Sequence, residues 1–382
     1  MKNSISDSAV YRRPLSCGTL SVTPNCSIEL LDELFDIAER RNPKRAFLFV
    51  SKVLGRHIPV SPKKMRETYQ KLASQFPDSL EGPVLFIGMA ETAVGLGAGI
   101  FDEVRDRFQQ AIYLTSTRHP VDKGELLCEF KENHSHATDH LLYLPKTAEQ
   151  RQWVQQAKTV VLIDDEATTG NTFINLLSAL REDGGLTHIK QVIAVTLTDW
   201  SGDAIAERSP LPIKTLSLVQ GTWQWDANPN APLPIMPNVN ITASGQFAIT
   251  GKQSWGRLGM TTPASDLGLS INASLGEKIL VLGSGEFVWE PFLLAERLEK
   301  QGAIVKYSST TRSPISTNFA IQSAITFTDN YGLGIPNFVY NVAHQQFDRI
   351  LLCCETPAES IDSQLIEALN KVAPIVEVIS YD

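Results

Sequence analysis

The chain has 382 residues, of which 43% are hydrophobic and 20% charged, and its formal net charge is −8. This composition excludes a disordered or fibrous chain, and the acidic balance gives no overall attraction for nucleic acid. No apolar run approaches the roughly 18 residues of a membrane span, and the N-terminus predicts no secretory signal. The five cysteines include no C-x-x-C pair, which favours reduced thiols in a cytoplasm.

The first half of the chain alternates short apolar runs with helical periods. We predict helices at 28–38, 62–76, 92–108 and 169–181, and strands at 47–50, 84–87, 111–115, 141–144, 159–163 and 191–197. Ser27 and Ser61 are the expected N-caps of the first two helices. Because β-branched strands alternate with helices, we expect an α/β fold with a mostly parallel sheet covered on both faces.

The pattern fails between residues 223 and 264, where four prolines fall within nine positions. Proline breaks both strand ladders and helices, so this segment is predicted to be a linker or a cover over the first domain. Periodicity then resumes with strands at 278–282, 303–307, 338–340, 349–354 and 375–379 and helices at 291–300 and 362–371. At about 150 residues per domain, we divide the chain into a first domain (1–222), a linker or cover (223–268) and a second α/β domain (269–382).

The strongest chemical signal is residues 160–172, VVLIDDEATTGNT. Four apolar residues predict a buried strand ending at Asp164 and Asp165, and a Thr/Gly loop then leads into a helix. In an open α/β sheet this strand end is where ligands bind. Loop N–H groups and a helix N-terminus suit a phosphate, and Gly170 lets the backbone approach it closely. The two carboxylates suit vicinal hydroxyls, so the segment predicts a ribose 5-phosphate site.

This segment resembles the phosphoribosyl diphosphate (PRPP) signature of the type I phosphoribosyltransferases. The resemblance implies that Asp164 and Asp165 bind ribose hydroxyls as catalytic residues. It implies that the 5-phosphate contacts Glu166, Ala167, Thr168, Thr169, Gly170, Asn171 and Thr172. It also implies Mg²⁺, bound mainly through PRPP and with Asp164 and Asp165 as candidate ligands. The 6-oxopurine enzymes carry a further acid where this chain has Thr168, which argues against that purine reaction and leaves orotate-like or unusual acceptors open.

Two other strand ends fit the same resemblance. The loop Gly88, Met89, Ala90 and Glu91 stands where the family holds the diphosphate. Arg118 follows the next strand, and its guanidinium suits bidentate neutralisation of that diphosphate, which makes it a third candidate catalytic residue.

The segment from residue 121 to 140 contains Lys131, His134 and His136 and ends at His140. Three interpretations stay open. The loop is a catalytic flap that closes over the substrate, a transition-metal site built on the H-x-H-x₃-H spacing, or an ordinary solvated loop.

Nine basic residues and no acid lie between Arg40 and Arg66. This run is either a solvated surface or a local patch that attracts an anionic ligand.

The whole chain is similar to a narrower family, in which a phosphoribosyltransferase is fused to a C-terminal domain named for the tetrapeptide Thr-Arg-Ser-Pro (TRSP). That tetrapeptide is residues 311–314 here, and residues 42–60 and 132–137 also fit the family. The resemblance implies an association with tellurium-resistance and stress gene clusters.

The second domain is predicted to be a degenerate copy of the first. Residues 279–286 parallel 84–91, residues 307–314 parallel 113–120, and residues 351–355 parallel 161–165. The second copy lacks the acid pair and the loop glycine, so we do not expect it to bind PRPP. We expect the two copies to pack as an intramolecular pseudo-dimer in which Arg312 and Asp329 shape an acceptor pocket; a homo-oligomer is also left open.

These observations predict a cytoplasmic, Mg²⁺-dependent phosphoribosyltransferase acting on PRPP and an unidentified base-like acceptor, with neither membrane nor nucleic acid as partner. Two alternatives are kept: a PRPP- or nucleotide-sensing protein without turnover, and a scaffold or RNA-associated partner that uses the basic run at 40–66.

Overall fold

The computed structural model describes residues 10–40, 45–131, 140–231, 239, 242–249 and 256–381. They form two largely parallel sheets covered by helices, which confirms the predicted α/β class. Within these ranges no helix has the length and apolar character needed to cross a membrane.

The elements follow in chain order. The helices are α1 (Ile28–Leu34), α2 (Pro62–Ala73), α3 (Val94–Val104), α4 (Ala148–Gln155), α5 (Asn171–Glu182), α6 (Ala204–Arg208), α7 (Trp289–Lys300) and α8 (Ser363–Leu369). The first twelve strands are β1 (Tyr11–Leu15), β2 (Gly18–Pro24), β3 (Phe35–Glu39), β4 (Phe47–Ser51), β5 (Val84–Gly88), β6 (Ala111–Thr115), β7 (Leu126–Phe130), β8 (His140–Tyr143), β9 (Thr159–Ile163), β10 (Glu166–Ala167), β11 (Gln191–Asp199) and β12 (Ile213–Ala227). The remaining strands are β13 (Lys278–Gly283), β14 (Ile304–Ser309), β15 (Ala324–Thr328), β16 (Pro336–Tyr340), β17 (Arg349–Cys354) and β18 (Ile375–Ser380).

The larger sheet runs in the order β1-β2-β12-β11-β9-β5-β6, with β10 beside β11. Strands β12, β11, β9, β5 and β6 are parallel, whereas β1 and β2 form an antiparallel extension. Every residue of β5 and β9 is buried, as expected for strands covered on both faces. Because β9 is the middle one of the five parallel strands, its carboxyl end lies at the centre of the edge that their carboxyl ends form. We call this sheet and its helices the first lobe.

Two sequence predictions are wrong at their ends. The helix predicted at 28–38 ends at Leu34, because residues 35–39 pair with β4 as an antiparallel strand, and this tertiary pairing overrides the helical periodicity. Residues 223–227, predicted as the start of a linker or cover, continue β12, where Trp223 and Trp225 pair with Val22 and Leu20 of β2. Of the four prolines that motivated the linker, Pro232, Pro234 and Pro237 lie outside the described residues.

The second lobe (residues 278–380) has a parallel sheet in the order β14-β13-β17-β18 and a hairpin of β15 and β16. Its order of elements repeats the β6-β5-β9-β11 part of the first lobe, in which β7 and β8 form the corresponding hairpin. The strand order that the duplication predicts is thus present.

The register also repeats residue for residue. Gly88 pairs with Thr115 and Ile163, and Gly283 pairs with Ser309 and Cys353. The bridges that follow are Thr117 with Leu141 and Thr311 with Phe338. Arg118 and Arg312 therefore occupy equivalent turns, as the duplication requires.

Two short segments each precede the strands of one lobe in sequence but pair with the other lobe. Residues 55–60 (the first arm) precede β5 but pair with the second lobe, where the N–H groups of Val60 and Tyr307 each donate to the other's carbonyl. Residues 256–260 (the second arm) precede β13 but pair with the first lobe through Met260 and Tyr113 in the same way. Each lobe thus covers the edge strand of the other. One continuous core includes apolar residues of both lobes, and the second lobe has a further core of its own.

Candidate active site

The acid pair follows β9 directly. The Asp164 N–H donates to the Val195 carbonyl (3.0 Å), and the Asp165 N–H donates to Asp164 Oδ1 (2.9 Å). The Thr92 hydroxyl donates to the Asp165 carboxylate (3.1 Å). Burial raises the pKa of Asp165, and the neighbouring Glu166 adds to this effect, while the hydrogen bonds from Asp164 and Thr92 oppose it. The two carboxylates thus stand at the strand end in the order that the sequence predicts.

The predicted phosphate loop is held at both ends. Glu166 and Ala167 pair with Thr198 and Asp199 of β11. Gly170 is the N-cap of α5 with φ of 71°, a left-handed conformation that favours glycine. A Cβ at this position would overlap the side chain of Ile205. The loop therefore requires glycine for its local fold as well as for close approach to a phosphate.

Two arginines that the sequence does not place at this loop contact it. Arg45 forms an ion pair with Glu166 (2.7 Å) and lies 3.4 Å from Thr168 Oγ1. Arg208 donates to the Asn171 side chain and to the Thr169 carbonyl. Arg45 is more than 120 positions away in sequence, and no local motif marks Arg208, so only the tertiary structure reveals either contact.

Aromatic rings fix Arg45 in place. Its guanidinium lies 4.7 Å from the centre of the Phe47 ring and 5.6 Å from that of Trp223. Phe49 stacks on Trp200 at 4.9 Å. Cation–π contacts of this kind favour a single position of the charge, which places a cation beside the Glu166 end of the loop.

The predicted diphosphate loop lies next to the acid pair. The Met89 N–H donates to the Ile163 carbonyl (2.9 Å), and the Ala90 N–H donates to Ser116 Oγ (2.9 Å). Thr92, which follows the loop, is the residue that contacts Asp165. Glu91 forms ion pairs with two arginines, Arg56 at 2.5 Å and Arg312 at 3.3 Å. The structure therefore brings the two strand ends together, and with them a residue of the second lobe.

The Arg118 turn docks onto the second lobe. The Arg118 N–H donates to Glu286 Oε1 (2.8 Å), and the Thr117 hydroxyl donates to Glu286 Oε2 (2.5 Å). Glu286 is the equivalent of Glu91, so the two lobes face each other through the same pair of loops.

The histidine-rich segment is described only at its ends. The carbonyl of Lys131 accepts from the Asn175 side chain on α5 (2.9 Å). His140 stacks on Phe130 and lies 3.1 Å from Ser116 Oγ. His134 and His136 lie outside the described residues. Among the residues that are described, no group of three or more His, Cys, Asp or Glu side chains could hold a metal ion, and the flap interpretation stays a prediction.

The basic run at 40–66 is not an open patch over its described part. Four of its described cations meet acids that are distant in sequence: Arg45 with Glu166, Arg56 with Glu91, Lys64 with Glu33, and Arg66 with Asp102, Glu103 and Glu296. These contacts neutralise four of the charges that the local sequence leaves unpaired, and the RNA-associated alternative stays a prediction.

In the second lobe the equivalent strand end is filled by the protein itself. Glu355 stands in place of Asp165 and accepts two hydrogen bonds from Arg257 (2.7 and 2.9 Å) and one from Tyr331 (2.7 Å). The Arg257 side chain is 2% exposed and also pairs with Glu286 (3.0 Å). The second arm thus closes the site that the second copy would have used.

Arg312 and Asp329 line a cavity between the lobes together with Glu91 and His119. Asp329 uses both carboxylate oxygens to accept backbone N–H bonds from Tyr331, Leu333 and Ile335 (2.9–3.1 Å). It therefore holds its own turn, while Arg312 points at the loop of the first lobe.

Family models match both parts of the chain. Residues 34–222 match the model described as phosphoribosyl transferase. This domain defines the protein as an enzyme of the phosphoribosyltransferase class. Residues 249–369 match the TRSP domain, which is described as C-terminal to that phosphoribosyltransferase. The chain thus combines a phosphoribosyltransferase domain with a TRSP domain C-terminal to it, as the sequence predicts.

Solved structures of several phosphoribosyltransferases are similar to parts of the chain that make up 40% to 51% of its length. The adenine phosphoribosyltransferase of Rhodothermus marinus is 17% identical over 51% of this chain and 99% of its own, with a TM-score of 0.33. The orotate phosphoribosyltransferase of Aeropyrum pernix is 15% identical over 46% of this chain and 80% of its own, with a TM-score of 0.29. Likeness at this level identifies no acceptor. No curated protein matches the chain.

Proposed function

We propose that the protein transfers ribose 5-phosphate between PRPP and a base-like acceptor, with Mg²⁺. The observation that carries this proposal is the position of the acid pair between two loops. Asp164 and Asp165 lie at the end of β9, the Gly170 loop with Arg45 and Arg208 lies on one side, and the Glu91 loop on the other. This order suits the ribose hydroxyls, the 5-phosphate and the diphosphate of one PRPP molecule.

In this reaction a nucleophilic atom of the acceptor attacks C1 of the ribose, and the bond between C1 and the diphosphate oxygen breaks. The electron pair of that bond leaves with the diphosphate, and positive charge develops on the ribose ring. The protein acts mainly by positioning the two reactants and by neutralising the diphosphate charge. Asp164 and Asp165 fix the ribose through its hydroxyls, and the turn at Arg118 supplies a cation for the leaving group.

The donor set of the site fits Mg²⁺. Mg²⁺ prefers oxygen ligands and usually keeps several waters while binding one or two carboxylates and substrate phosphates. Asp164 and Asp165 are the residues that would hold it, together with PRPP oxygens. The ion would supply charge stabilisation for the departing diphosphate.

The acceptor is the open part of the proposal. Arg312 and Asp329 stay the proposed acceptor pocket, in which Asp329 is engaged by its own turn and Arg312 by Glu91. The test is to incubate cell extract with protein, Mg²⁺ and isotopically labelled PRPP and to search by mass spectrometry for a new labelled nucleotide. Absence of any labelled product under conditions where PRPP binds would contradict the proposal.

Exchange of labelled diphosphate into PRPP in the presence of the acceptor distinguishes an enzyme from the sensor alternative, because a sensor binds PRPP without breaking its C1–O bond. The cytoplasmic location and the link to tellurium-resistance gene clusters are further predictions that follow from the resemblance alone.

A further inference from the structure

The second lobe holds the turn that carries Arg118 by its backbone. Glu286 accepts the Arg118 N–H on Oε1 (2.8 Å) and the Thr117 hydroxyl on Oε2 (2.5 Å). Thr117 Oγ1 in turn accepts the His119 N–H (3.0 Å). The Glu286 side chain is 2% exposed, and hydrogen bonds to a charged group are stronger than those between neutral groups. One buried carboxylate of the second lobe therefore fixes the backbone of this turn.

The two equivalent turns are held in different ways. At the Arg312 turn the equivalent carboxylate, Glu91, contacts the guanidinium itself, 3.3 Å from Nε, and this arginine side chain is 9% exposed. At the Arg118 turn Glu286 contacts the backbone N–H, and Arg118 is half-buried. The second lobe thus fixes Arg118 through its main chain, whereas Arg312 is fixed through its side chain.

Glu286 is itself held by the strand end of the second lobe that corresponds to the acid pair. Arg257 Nη2 donates to Glu286 (3.0 Å), and the same guanidinium makes two hydrogen bonds to Glu355 (2.7 and 2.9 Å). Arg257 Nε also donates to Thr117 Oγ1 (3.1 Å), and the Tyr331 hydroxyl donates to Glu355 (2.7 Å). The Arg257 and Glu355 side chains are at most 2% exposed. A continuous chain of buried hydrogen bonds therefore runs from this strand end to the turn of the first lobe.

The other side of the same turn is joined to the candidate active site. The Ser116 N–H donates to the Gly88 carbonyl (3.0 Å), and Ser116 Oγ accepts the Ala90 N–H (2.9 Å). Residues 116–119 are thus fixed by the first lobe at one end and by Glu286 at the other. Loss of the Glu286 contact would release the end that carries Arg118.

We propose that Glu286 is a positioning residue for the active site of the first lobe, anchored by Arg257 and Glu355. This inference rests on the proposed function, in which Arg118 neutralises the charge of the leaving group. Glu286 acts through the backbone of Arg118 rather than on a ligand. A misplacement of about 1 Å can lower the effect of a catalytic group about a hundredfold. The inference also gives a function to the acid at the second strand end, which Arg257 and Tyr331 close.

The first measurement is amide-resolved hydrogen exchange of the full chain, which needs no ligand. Glu286→Gln keeps the size of the side chain but removes its charge, so the Arg118 amide should exchange about tenfold faster, as expected for a loss of about 1.4 kcal/mol. Glu296→Gln is the matched control, because Glu296 also joins the second lobe to an arginine elsewhere, Arg66 (2.9 Å), and its other ion pair is with Lys300. It should leave exchange at Arg118 unchanged. Equal exchange at Arg118 in Glu286→Gln and the wild type would overturn the inference.

The second measurement is calorimetric titration with PRPP and, separately, with ribose 5-phosphate, each with Mg²⁺. Glu286→Gln should weaken PRPP binding about tenfold and leave the affinity for ribose 5-phosphate unchanged, because only PRPP carries the group that Arg118 neutralises. Arg118→Ala should weaken PRPP binding at least as much. The double variant should bind PRPP no more weakly than Arg118→Ala alone, because residues that act as one unit give non-additive effects.

The positioning role is overturned if Glu286→Gln binds PRPP as tightly as the wild type, or if the losses of the two single variants multiply in the double variant. A different result marks failure of the proposed function. In that case the wild type binds neither PRPP nor ribose 5-phosphate, while Glu286→Gln still exchanges faster at Arg118. The role of Glu286 in the active site then fails with the proposed function, although the turn is anchored as described.

Discussion

Tyr113 and Tyr307 occupy equivalent places in the two lobes, and each donates its hydroxyl to a backbone carbonyl 2.9 Å away, Val94 for the first and Val288 for the second. Both tyrosines are buried, and each is also the residue that pairs with the arm of the other lobe. One tyrosine position therefore joins a strand to its own helix and to the neighbouring lobe. Because the same contact occurs twice, the lobes are related by more than a common class of fold.

The first prediction concerns the acid pair. PRPP with Mg²⁺ should raise the thermal stability of the wild type, by about 2.7 kcal/mol when the ligand is at 100 times its dissociation constant. Asp164→Asn combined with Asp165→Asn should abolish this shift, because both ribose contacts lose their charge. Thermal melts with and without ligand measure the effect. An unchanged shift in the double variant would refute the assignment of these residues.

The second prediction concerns Gly170. Gly170→Ala should lower the free energy of unfolding by more than Gly185→Ala does. Both glycines have a positive φ, 71° and 67°, so both variants carry the backbone penalty of about 1–2 kcal/mol. Only Gly170 faces a neighbour, Ile205, whereas a Cβ at Gly185 meets no described atom within 4 Å.

Urea unfolding of the two variants measures the difference, which should be about 1–3 kcal/mol because overpacking a buried contact has that magnitude. Equal losses in the two variants would show that Ile205 moves aside without penalty, and the loop would then be less tightly held than its geometry indicates.

The sequence predicts four neighbouring strands of the large sheet well, β6, β5, β9 and β11, because each is a self-contained apolar run, but it predicts no strand at β12, β1 or β2. Strand β9 matches its prediction at both ends, and the acid pair follows it as expected. The pattern fails where pairing partners are remote: β3 pairs with β4 although the helical pattern of α1 runs through it, and β12, which the sequence does not predict, crosses the predicted domain boundary at residue 222 while pairing with β2. The sequence also does not predict the contact between Arg45 and Glu166. The two residues are far apart in the chain, and no local spacing of residues indicates that they meet.

The third prediction concerns the buried charges of the second lobe. Arg257→Met should destabilise the protein by about 3–5 kcal/mol, because it leaves Glu286 and Glu355 buried without their shared cation. Arg257→Met combined with Glu355→Gln should recover part of this loss, since one uncompensated charge is removed. Urea unfolding of both variants is the measurement. A double variant less stable than Arg257→Met would show that the Glu355 charge is balanced by other groups.

The last prediction concerns Glu290, a carboxyl in the first turn of α7 that is 2% exposed. Burial raises its pKa to about 8, Glu355 adds to the effect, and the charge of Arg257 together with a backbone hydrogen bond opposes it. Its Oε2 atom has no hydrogen-bond partner among the described residues. The folded protein should therefore hold this carboxyl in its neutral form at pH 7.

Because the folded pKa lies above the unfolded one, the folded state binds more protons at this group between about pH 4.5 and 8. The free energy of unfolding should then decrease as the pH rises through this interval, by up to ~1.4 kcal/mol per pH unit from this group. Glu290→Gln removes the titration, so its stability relative to the wild type should increase from pH 5 to pH 8. Glu149→Gln is the matched control, since Glu149 holds the same position in α4 but is exposed, and its difference from the wild type should stay constant. Chemical unfolding at a series of pH values measures both differences, and a Glu290→Gln difference that does not change with pH would mean that this carboxyl is already ionised in the folded protein.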